Sequence, residues 1–313
     1  MKTAVFVTHA APGIGGGHLA RCLALAEELS SAGWRCRIAA PDLSFGVLPV
    51  APGFERIVLP DGPLPDPARL AASLASSDLV VFDRYDVSAA HEDASPCRVL
   101  TIADGATREM RAEVVLDATP GREATAYAGL VPAGTTLLLG SSYAPLRSAF
   151  ATLRPAALGR RAATGPPRRL VVGFGASAGP ILEDAMAAIR SAAPDASVVA
   201  IQGKSPAEVA RLYAEADLAV GSAGVSALER CAVGLPSIAF AVADNQTDQL
   251  AGLDRAGAVR ALGPWDAGAE ARLRAALAEL RGDDDRRRTM AERAAAIVDG
   301  LGAARVARVV AAP

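Results

Sequence analysis

Residues 3–26 have the sequence TAVFVTHAAPGIGGGHLARCLALA, and this stretch decides the fold class. Its apolar run Ala4–Thr8 predicts a strand buried on both faces, because the run is continuous rather than alternating. Apolar residues then recur at helical spacing over His18–Ala32, and Gly33 provides the expected stop signal. A strand, a glycine-rich turn and a helix in this order are typical of the first unit of a parallel α/β sheet.

Short apolar runs and helical stretches alternate along the rest of the chain. The strands predicted in the first half are Ala4–Thr8, Cys36–Ala40, Arg56–Leu59, Leu79–Asp83, Val99–Ala103, Val114–Leu116 and Thr136–Gly140. The second half is predicted to contain strands Leu170–Phe174, Ser197–Ile201, Leu218–Gly221 and Ser237–Val242, with helices Ile181–Ala192, Pro206–Ala216, Val225–Val233, Asp248–Ala256, Glu270–Leu280 and Arg286–Val310, the last broken at Gly300. This pattern predicts an α/β protein with parallel sheets covered by helices on both faces.

A domain boundary is expected in residues 154–169, whose sequence RPAALGRRAATGPPRR has turn residues and charges but no sustained apolar period. We therefore predict an N-terminal domain over 1–160 and a C-terminal domain over 161–313, both doubly wound and Rossmann-like. Two such domains are expected to face each other across a cleft at the carboxyl ends of their strands, where open α/β sheets bind ligands.

Composition excludes several classes of protein. With 51% hydrophobic and 21% charged residues among 313, the chain is not disordered, and it has no apolar run near the ~18 residues of a membrane span. A net charge of −2 argues against nucleic-acid binding. The four cysteines are scattered, and no metal or cofactor is predicted. The N-terminus enters a strand without a signal peptide, so we expect a cytoplasmic location. The oligomeric state stays open.

The first candidate site is the glycine loop that precedes the first helix. Gly15, Gly16 and Gly17 would let the backbone approach an anionic ligand closely. The alternative is that these glycines only allow a tight turn from the strand into the helix. His18 follows, where the dinucleotide fingerprint has Gly, so NAD binding is disfavoured. The loop-to-helix junction is expected to expose the His18 ring, which predicts a general base, with a structural hydrogen-bonding role as the alternative. His9 is expected to reach the same place.

The second candidate site is the loop that precedes a helix in the other domain. Backbone N–H groups at Ser222, Gly224, Val225 and Ser226 are expected to bind phosphate. Glu229 lies one turn into the helix, where it either accepts hydrogen bonds from ribose hydroxyls or only faces the helix dipole.

Polar residues also follow two other strands. Asn245 and Gln246 come after a core strand and suit sugar hydroxyls, although a helix N-cap role explains Asn245 equally well. Tyr85 follows the strand that ends at Asp83, and it could stack on a sugar or donate to a hydroxyl. Asp83 is interpreted equally well as a cap for the next segment.

Five motifs then occur together in the order of a known family. They are GGGHLARCLALA at Gly15–Ala26, DRY at Asp83–Tyr85, YAPLRSAF at Tyr143–Phe150, ERCAVGLP at Glu229–Pro236 and DNQ at Asp244–Gln246. In these motifs, over most of residues 1–260, the sequence resembles the UDP-sugar hydrolases of pseudaminic acid biosynthesis. Those enzymes are similar to the peptidoglycan GlcNAc transferase, and the resemblance implies their GT-B fold.

The resemblance also implies residue roles. His18 corresponds to the family's water-activating histidine; Gly15, Gly16, Gly17, Arg21, Tyr85, Asn245 and Gln246 to substrate-binding positions; and Gly175, Ser222, Gly224, Val225, Ser226 and Glu229 to nucleotide-binding positions. The sequence departs from the family at Arg84, which replaces a histidine, and at residues 174–178, which lack an acid. It is also shortened at 202–206, beside the expected nucleobase site.

Together these features predict substitution at the anomeric carbon of a nucleotide-diphosphate sugar, with UDP as the expected nucleotide. Hydrolysis to free sugar and UDP is favoured, because His18, Tyr85 and Asn245 match the hydrolase. One alternative is a glycosyltransferase that uses a small acceptor, similar to a cytosylglucuronate synthase of secondary metabolism. Another is a nucleotide-sugar binder without catalysis.

Overall fold

The computed structural model describes residues 1–11, 14–48, 53–162, 165–175 and 179–312. The chain forms two compact units. The first unit contains Met1–Arg147 and Leu301–Pro313, and the second contains Ser148–Gly300. None of the described helices is long and apolar enough to cross a membrane.

The first unit is built on a seven-stranded parallel sheet. Its elements are β1 Thr3–Thr8, α1 Gly17–Ser31, β2 Arg35–Pro41, α2 Ser44–Val47, β3 Glu55–Leu59, α3 Pro67–Ser73, β4 Leu79–Asp83, α4 Ala89–Asp93, β5 Arg98–Ile102, β6 Val114–Asp117 and β7 Thr136–Leu139. Alternate side chains of β1 pack into separate cores, with Phe6 on one face and Val5 and Val7 on the other. Burial on both faces explains why this strand is a continuous apolar run.

The strand order of this sheet is β3-β2-β1-β4-β5-β6-β7. The chain crosses over between β1 and β4, which are neighbours in the sheet but not in sequence. In open α/β sheets such a switch point leaves a crevice at the carboxyl ends of the two strands, and ligands bind there. His9, directly after β1, and Asp83, the last residue of β4, lie at this position.

The second unit repeats this design with five parallel strands. Its elements are α5 Ser148–Arg160, β8 Arg169–Gly173, α6 Gly179–Ala192, β9 Ser197–Ala200, α7 Pro206–Glu215, β10 Leu218–Ser222, α8 Val225–Ala232, β11 Ser237–Ala241, α9 Thr247–Arg255, β12 Arg260–Pro264, α10 Ala269–Gly282 and α11 Asp284–Ile297. The order is β12-β11-β10-β8-β9, so the switch point lies between β8 and β10. A final helix, α12 Gly302–Ala311, completes the first unit.

Every predicted strand is present, and each bound differs by at most one residue. The strand β12 was not predicted. Its sequence RALGP contains an arginine, a glycine and a proline, so it has no apolar run, and it pairs only with β11 at the edge of the sheet.

The first part of the expected linker, residues 154–160, belongs to helix α5, and the two compact units divide after Arg147. Pro155 interrupts the helix, and its apolar residues follow no stripe. Tertiary contacts hold it: the Arg154 guanidinium donates to the carbonyls of Ala232, Ala295 and Val298 at 2.6, 2.6 and 2.8 Å. Because these contacts are distant in sequence, local periodicity could not reveal the helix.

The predicted break at Gly300 is present, and the helix after it belongs to the first unit. Gly300 has a φ of +81°, which favours glycine, and it separates α11 from α12. Val306 and Val310 of α12 are buried in the core that contains α1. The sequence prediction groups this segment with residues 161–313, because an amphipathic helix does not reveal which core it covers.

Strands β8 and β10 approach each other closely at the switch point of the second unit. Gly173 and Gly221 are register partners, and a Cβ on Gly221 would lie 2.2 Å from the Gly173 carbonyl oxygen. No side chain fits there without moving backbone. Both residues precede the loops that were predicted to bind the nucleotide.

We expect Gly221→Ala to reduce the free energy of unfolding by at least about 2 kcal/mol, because an added methyl collides with backbone. Urea denaturation measures the change. Gly159→Ala is the matched control: this helical glycine has no atom within 4 Å of an added Cβ, and the substitution should be neutral or stabilise by up to about 1 kcal/mol. Wild-type stability of Gly221→Ala would contradict the close approach of the strands.

Candidate active site

A buried histidine–carboxylate hydrogen bond occupies the switch point of the first unit. His18, the second residue of α1, lies with its Nδ1 atom 2.5 Å from Oδ1 of Asp83. Asp83 is fully buried at the end of β4. Because an ionised carboxylate only accepts hydrogen bonds, Nδ1 carries the proton in this contact. Nε2 is then the nitrogen with a lone pair, as a general base requires.

The His18 ring is 6% exposed, so the expectation of an open ring at the junction is wrong. Two aromatic rings enclose it, His9 at a centroid distance of 4.9 Å and Tyr85 at 4.6 Å, both edge to face. Enclosure lowers the local dielectric and so strengthens the hydrogen bond to Asp83. The structure therefore brings His9, His18 and Tyr85 together in one place.

Arg21 also holds Asp83, and its Nη2 atom lies 3.0 Å from Nδ1 of His18. It lies one turn after His18 on α1, and its Nε and Nη2 atoms donate to the two carboxylate oxygens of Asp83 at 2.6 and 2.7 Å. Its Nη1 atom donates to Asp104. The resemblance implied a substrate contact for Arg21, whereas the structure shows its guanidinium engaged with two carboxylates.

These contacts keep Asp83 ionised. Burial alone would raise the pKa of Asp83, but the Arg21 guanidinium and the His18 ring outweigh it and lower that pKa below its usual value. Burial would likewise raise the pKa of Asp104, and Arg21 lowers it. An ionised Asp83 can stabilise a protonated His18 without taking its proton.

Tyr85 forms the exposed wall of the site. Its hydroxyl donates to Oδ2 of Asp104 at 3.1 Å, and the residue is 54% exposed, beside the His18 ring. Burial and the Asp104 charge raise the pKa of Tyr85, so the phenol stays neutral. Arg84, which replaces the family histidine, donates instead to Asp86 and to the Gly62 carbonyl.

The glycine loop leads directly into α1. Gly15 has a φ of +81°, and its N–H donates to the Ala11 carbonyl at 2.8 Å. Gly16 is the N-cap of α1 and provides no side-chain cap, and Gly17 is the first helical residue. The remaining loop residues, 12 and 13, lie outside the described residues.

The second predicted loop lies at the switch point of the second unit. Ser222 ends β10, and Gly224 is the N-cap of α8, where no side chain of a described residue caps the helix. Val225 and Ser226 begin that helix, so their N–H groups belong to its first turn. A Cβ on Gly224 would lie 3.4 Å from Nε2 of Gln246, so the structure brings these two predicted residues together.

Two further residues hold this loop and were missed from the sequence. Gln249 donates to the Gly224 carbonyl at 2.8 Å and also to the Ala223 carbonyl. Arg230 is 1% exposed and donates to the Ser222 carbonyl at 2.8 Å, with its guanidinium 6.0 Å from the centre of the Tyr213 ring. Both fix the peptide groups on which a phosphate site would depend.

The other predicted nucleotide and sugar residues lie near the same edge. Gly175 follows β8 with a φ of +85°, and Gln202 donates to its carbonyl at 3.1 Å. Residues 174–178 lack the acidic residue of the resembled family, and residues 176–178 of this stretch lie outside the described residues. Glu229 is half-buried on α8, and Asn245 is exposed in a short 3₁₀ helix over Asp244–Gln246.

Asp83 and Asp104 are the functional residues that sequence reasoning missed or underestimated. Both come at or just after the carboxyl end of a strand, β4 and β5, and that position was the available signal. The described residues contain no group of His, Cys, Asp and Glu side chains that could hold a metal ion.

Comparison with known proteins identifies the fold. No family model and no curated protein matches the sequence. Three similar solved structures are Acinetobacter baumannii MurG (TM-score 0.68, 14% identity, 99% of both chains), Arabidopsis thaliana UGT89C1 complexed with quercetin (0.66, 14%, 99% of both) and the Streptomyces sp. SF2575 glycosyltransferase SsfS6 complexed with thymidine diphosphate (0.58, 13%, 99% of both). The chain therefore has the GT-B fold, two doubly wound α/β units, as the sequence predicted.

His9 should make stability depend on pH. Burial, the His18 ring and the Arg84 charge lower the pKa of His9 from 6.5 to about 4. The unfolded chain therefore binds a proton at this residue below pH 6.5 and the folded chain only near pH 4, so stability falls across that window as the pH falls. The full loss is roughly 3 kcal/mol.

Urea denaturation between pH 7 and 4 measures this loss, and His9→Asn should remove most of it. Asp83 does not interfere, because its lowered pKa removes stability only as the pH falls below its ordinary value of 3.8. An unchanged pH profile in His9→Asn would contradict the assignment of a neutral buried imidazole.

Proposed function

We propose that the protein is an enzyme that substitutes at the anomeric carbon of a nucleotide-diphosphate sugar, and that it transfers the sugar to a small hydroxyl-bearing acceptor. The observation that carries the proposal is the His18–Asp83 pair at the switch point of a GT-B unit. A histidine oriented by a buried, ionised carboxylate is a general base for a hydroxyl group.

In this mechanism the acceptor hydroxyl gives its proton to Nε2 of His18. The acceptor oxygen forms a bond to the anomeric carbon, and the bond from that carbon to the diphosphate breaks, with its electron pair leaving on the phosphate oxygen. Asp83 stabilises the imidazolium that forms, and Arg21 keeps the carboxylate in place. The protein therefore has two tasks, to accept a proton from the nucleophile and to stabilise the negative charge on the leaving group.

The second unit is assigned to the nucleotide. The first-turn N–H groups of α8, at Val225 and Ser226, suit the negative charge that develops on the diphosphate. Glu229, one turn further, is assigned to the ribose, and Gly175 to the same ligand. Asn245 and Gln246 are assigned to the sugar. The thymidine diphosphate complex of SsfS6 supports a nucleoside diphosphate as the ligand class.

Tyr85 favours an organic acceptor. Its large ring is 54% exposed beside His18 and offers apolar surface to a carbon skeleton, which a water nucleophile does not need. The quercetin complex of UGT89C1 supports the same choice.

The four cysteines are all free, which fits a reducing cytoplasm.

Hydrolysis is the second candidate, supported by the five motifs shared with the UDP-sugar hydrolases. Incubation with a panel of UDP- and TDP-sugars distinguishes the two candidates. Release of nucleoside diphosphate at a catalytic rate without acceptor supports hydrolysis, and release only after addition of hydroxyl-bearing acceptors, phenolic or aminoglycone, supports transfer. Nucleotide affinity by calorimetry with no turnover under either condition would overturn both and leave a binding protein.

We expect His18→Ala and Asp83→Asn each to reduce turnover about a hundredfold or more, because one removes the base and the other removes its orientation and counter-charge. Nucleotide affinity, measured by calorimetry, should stay within about twofold, since the nucleotide is assigned to the second unit. His91→Ala is the control histidine, as it lies at a helix start and bonds Ser88 and the Pro65 carbonyl. Near wild-type turnover in His18→Ala would refute the mechanism.

A further inference from the structure

A cavity of about 520 Å³ lies in the second unit at the edge of the sheet where the strands begin. Its lining includes Arg169 at the start of β8, Asp217 directly before β10 and Pro236 directly before β11. The loop at Gly224 follows the opposite end of β10. The cavity is therefore separate from the site assigned to the nucleotide.

Arginine dominates the lining of this cavity. Its charged residues are the arginines Arg160, Arg161, Arg168, Arg169, Arg287 and Arg288 and the aspartates Asp217 and Asp284. The chain as a whole has a net charge of −2, so the excess of positive charge is local. A concave surface lined by one sign of charge concentrates ligands of the opposite sign.

Both aspartates are already used to hold the walls. Oδ2 of Asp217 accepts the backbone N–H groups of Arg168 and Arg169 at 3.0 and 2.9 Å. Oδ2 of Asp284 accepts the N–H of Gly165 at 2.7 Å, and its other oxygen pairs with Arg287.

Asp217 also faces the guanidinium groups of Arg160 and Arg169, and Arg288 pairs with Asp285 next to the cavity. Three carboxylates therefore stand against six guanidinium groups, and an excess of three positive charges remains.

Arg161 is held in place without a carboxylate. Its Nε and Nη2 atoms donate to the carbonyls of Val233 and Tyr213 at 3.3 and 2.9 Å, and Nη1 donates to the Ala216 carbonyl. Among the described residues no carboxylate forms an ion pair with Arg161 or Arg168, whereas Arg160 and Arg169 lie 3.6 and 4.0 Å from Oδ1 of Asp217. Burial lowers the pKa of Arg161 to about 10, so it is still charged at neutral pH.

We propose that this cavity binds a small anion that carries two or more phosphate groups. The volume of the cavity falls within the range of small-molecule sites, and the cavity is too small for a folded partner. Planar guanidinium groups bind phosphate oxygens through paired hydrogen bonds, and several of them around one concavity require a ligand with several charges. A soluble polyphosphorylated metabolite and the head group of a diphosphorylated lipid share this chemistry.

Calorimetric titration of the full chain with inorganic pyrophosphate tests the proposal. The double variant Arg168→Glu/Arg288→Glu reverses two exposed charges of the lining and should weaken binding at least about tenfold. The matched control, Arg211→Glu/Arg274→Glu, reverses two exposed arginines on α7 and α10 outside the cavity and should keep the wild-type affinity. Circular dichroism and thermal unfolding establish that both doubles fold.

Equal weakening in both doubles would show general attraction to the surface and would overturn the proposal. Unchanged affinity in the cavity double would overturn it as well, because pyrophosphate would then bind elsewhere, for example at Gly224. Sedimentation with vesicles of phosphatidylcholine containing cardiolipin separates the two sources. If the protein sediments with the vesicles, and if pyrophosphate or the cavity double variant abolishes this, the ligand is a lipid head group. If the protein binds pyrophosphate but does not sediment with the vesicles, the ligand is soluble.

Discussion

The buried carboxylate of Asp83 is the group on which the chemistry of the first unit depends. A charge with no solvent exposure is costly unless hydrogen-bond donors surround it. Here α1 supplies two donors, because His18 and Arg21 are three residues apart and so face the same side of one helix. The position of α1 against β4 and the orientation of the histidine are therefore consequences of the same contact. Loss of either donor would leave a buried charge partly unpaired.

The two units use glycine at their switch points for different physical reasons. In the first unit Gly15 adopts a positive φ, which lets the chain turn from β1 into α1 and brings His18 to Asp83. In the second unit Gly173 and Gly221 allow neighbouring strands to approach until no side chain fits between them. Gln249 and Arg230 then hold the carbonyls that follow. The crevice of each sheet is thus prepared by backbone geometry before any ligand contact is made.

Arginine has two different structural uses in the second unit. Arg154 and Arg161 reach into the ends of neighbouring helices and donate to their free carbonyls, which satisfies acceptors that a helix cannot pair itself. Such contacts hold the two guanidinium groups through backbone carbonyls. Around the amino-terminal edge of the second sheet this charge accumulates, whereas in the first unit Arg21 is balanced by two aspartates. The same residue type therefore pairs with carboxylates in the first unit and lines a cationic cavity in the second.

The sequence by itself determined the alternation of strands and helices, because strands of a covered parallel sheet are continuous apolar runs that need no knowledge of their neighbours. It also placed the glycine loop before His18 and the loop at Gly224, since both follow directly from strand-turn-helix order. Only the tertiary structure decided that α5 is a helix, that α12 completes the first unit and that Asp83 pairs with His18 rather than capping a loop. These features depend on contacts between residues far apart in the chain. Asp83 and His18 are 65 positions apart, and a contact over that distance produces no periodic pattern in the sequence.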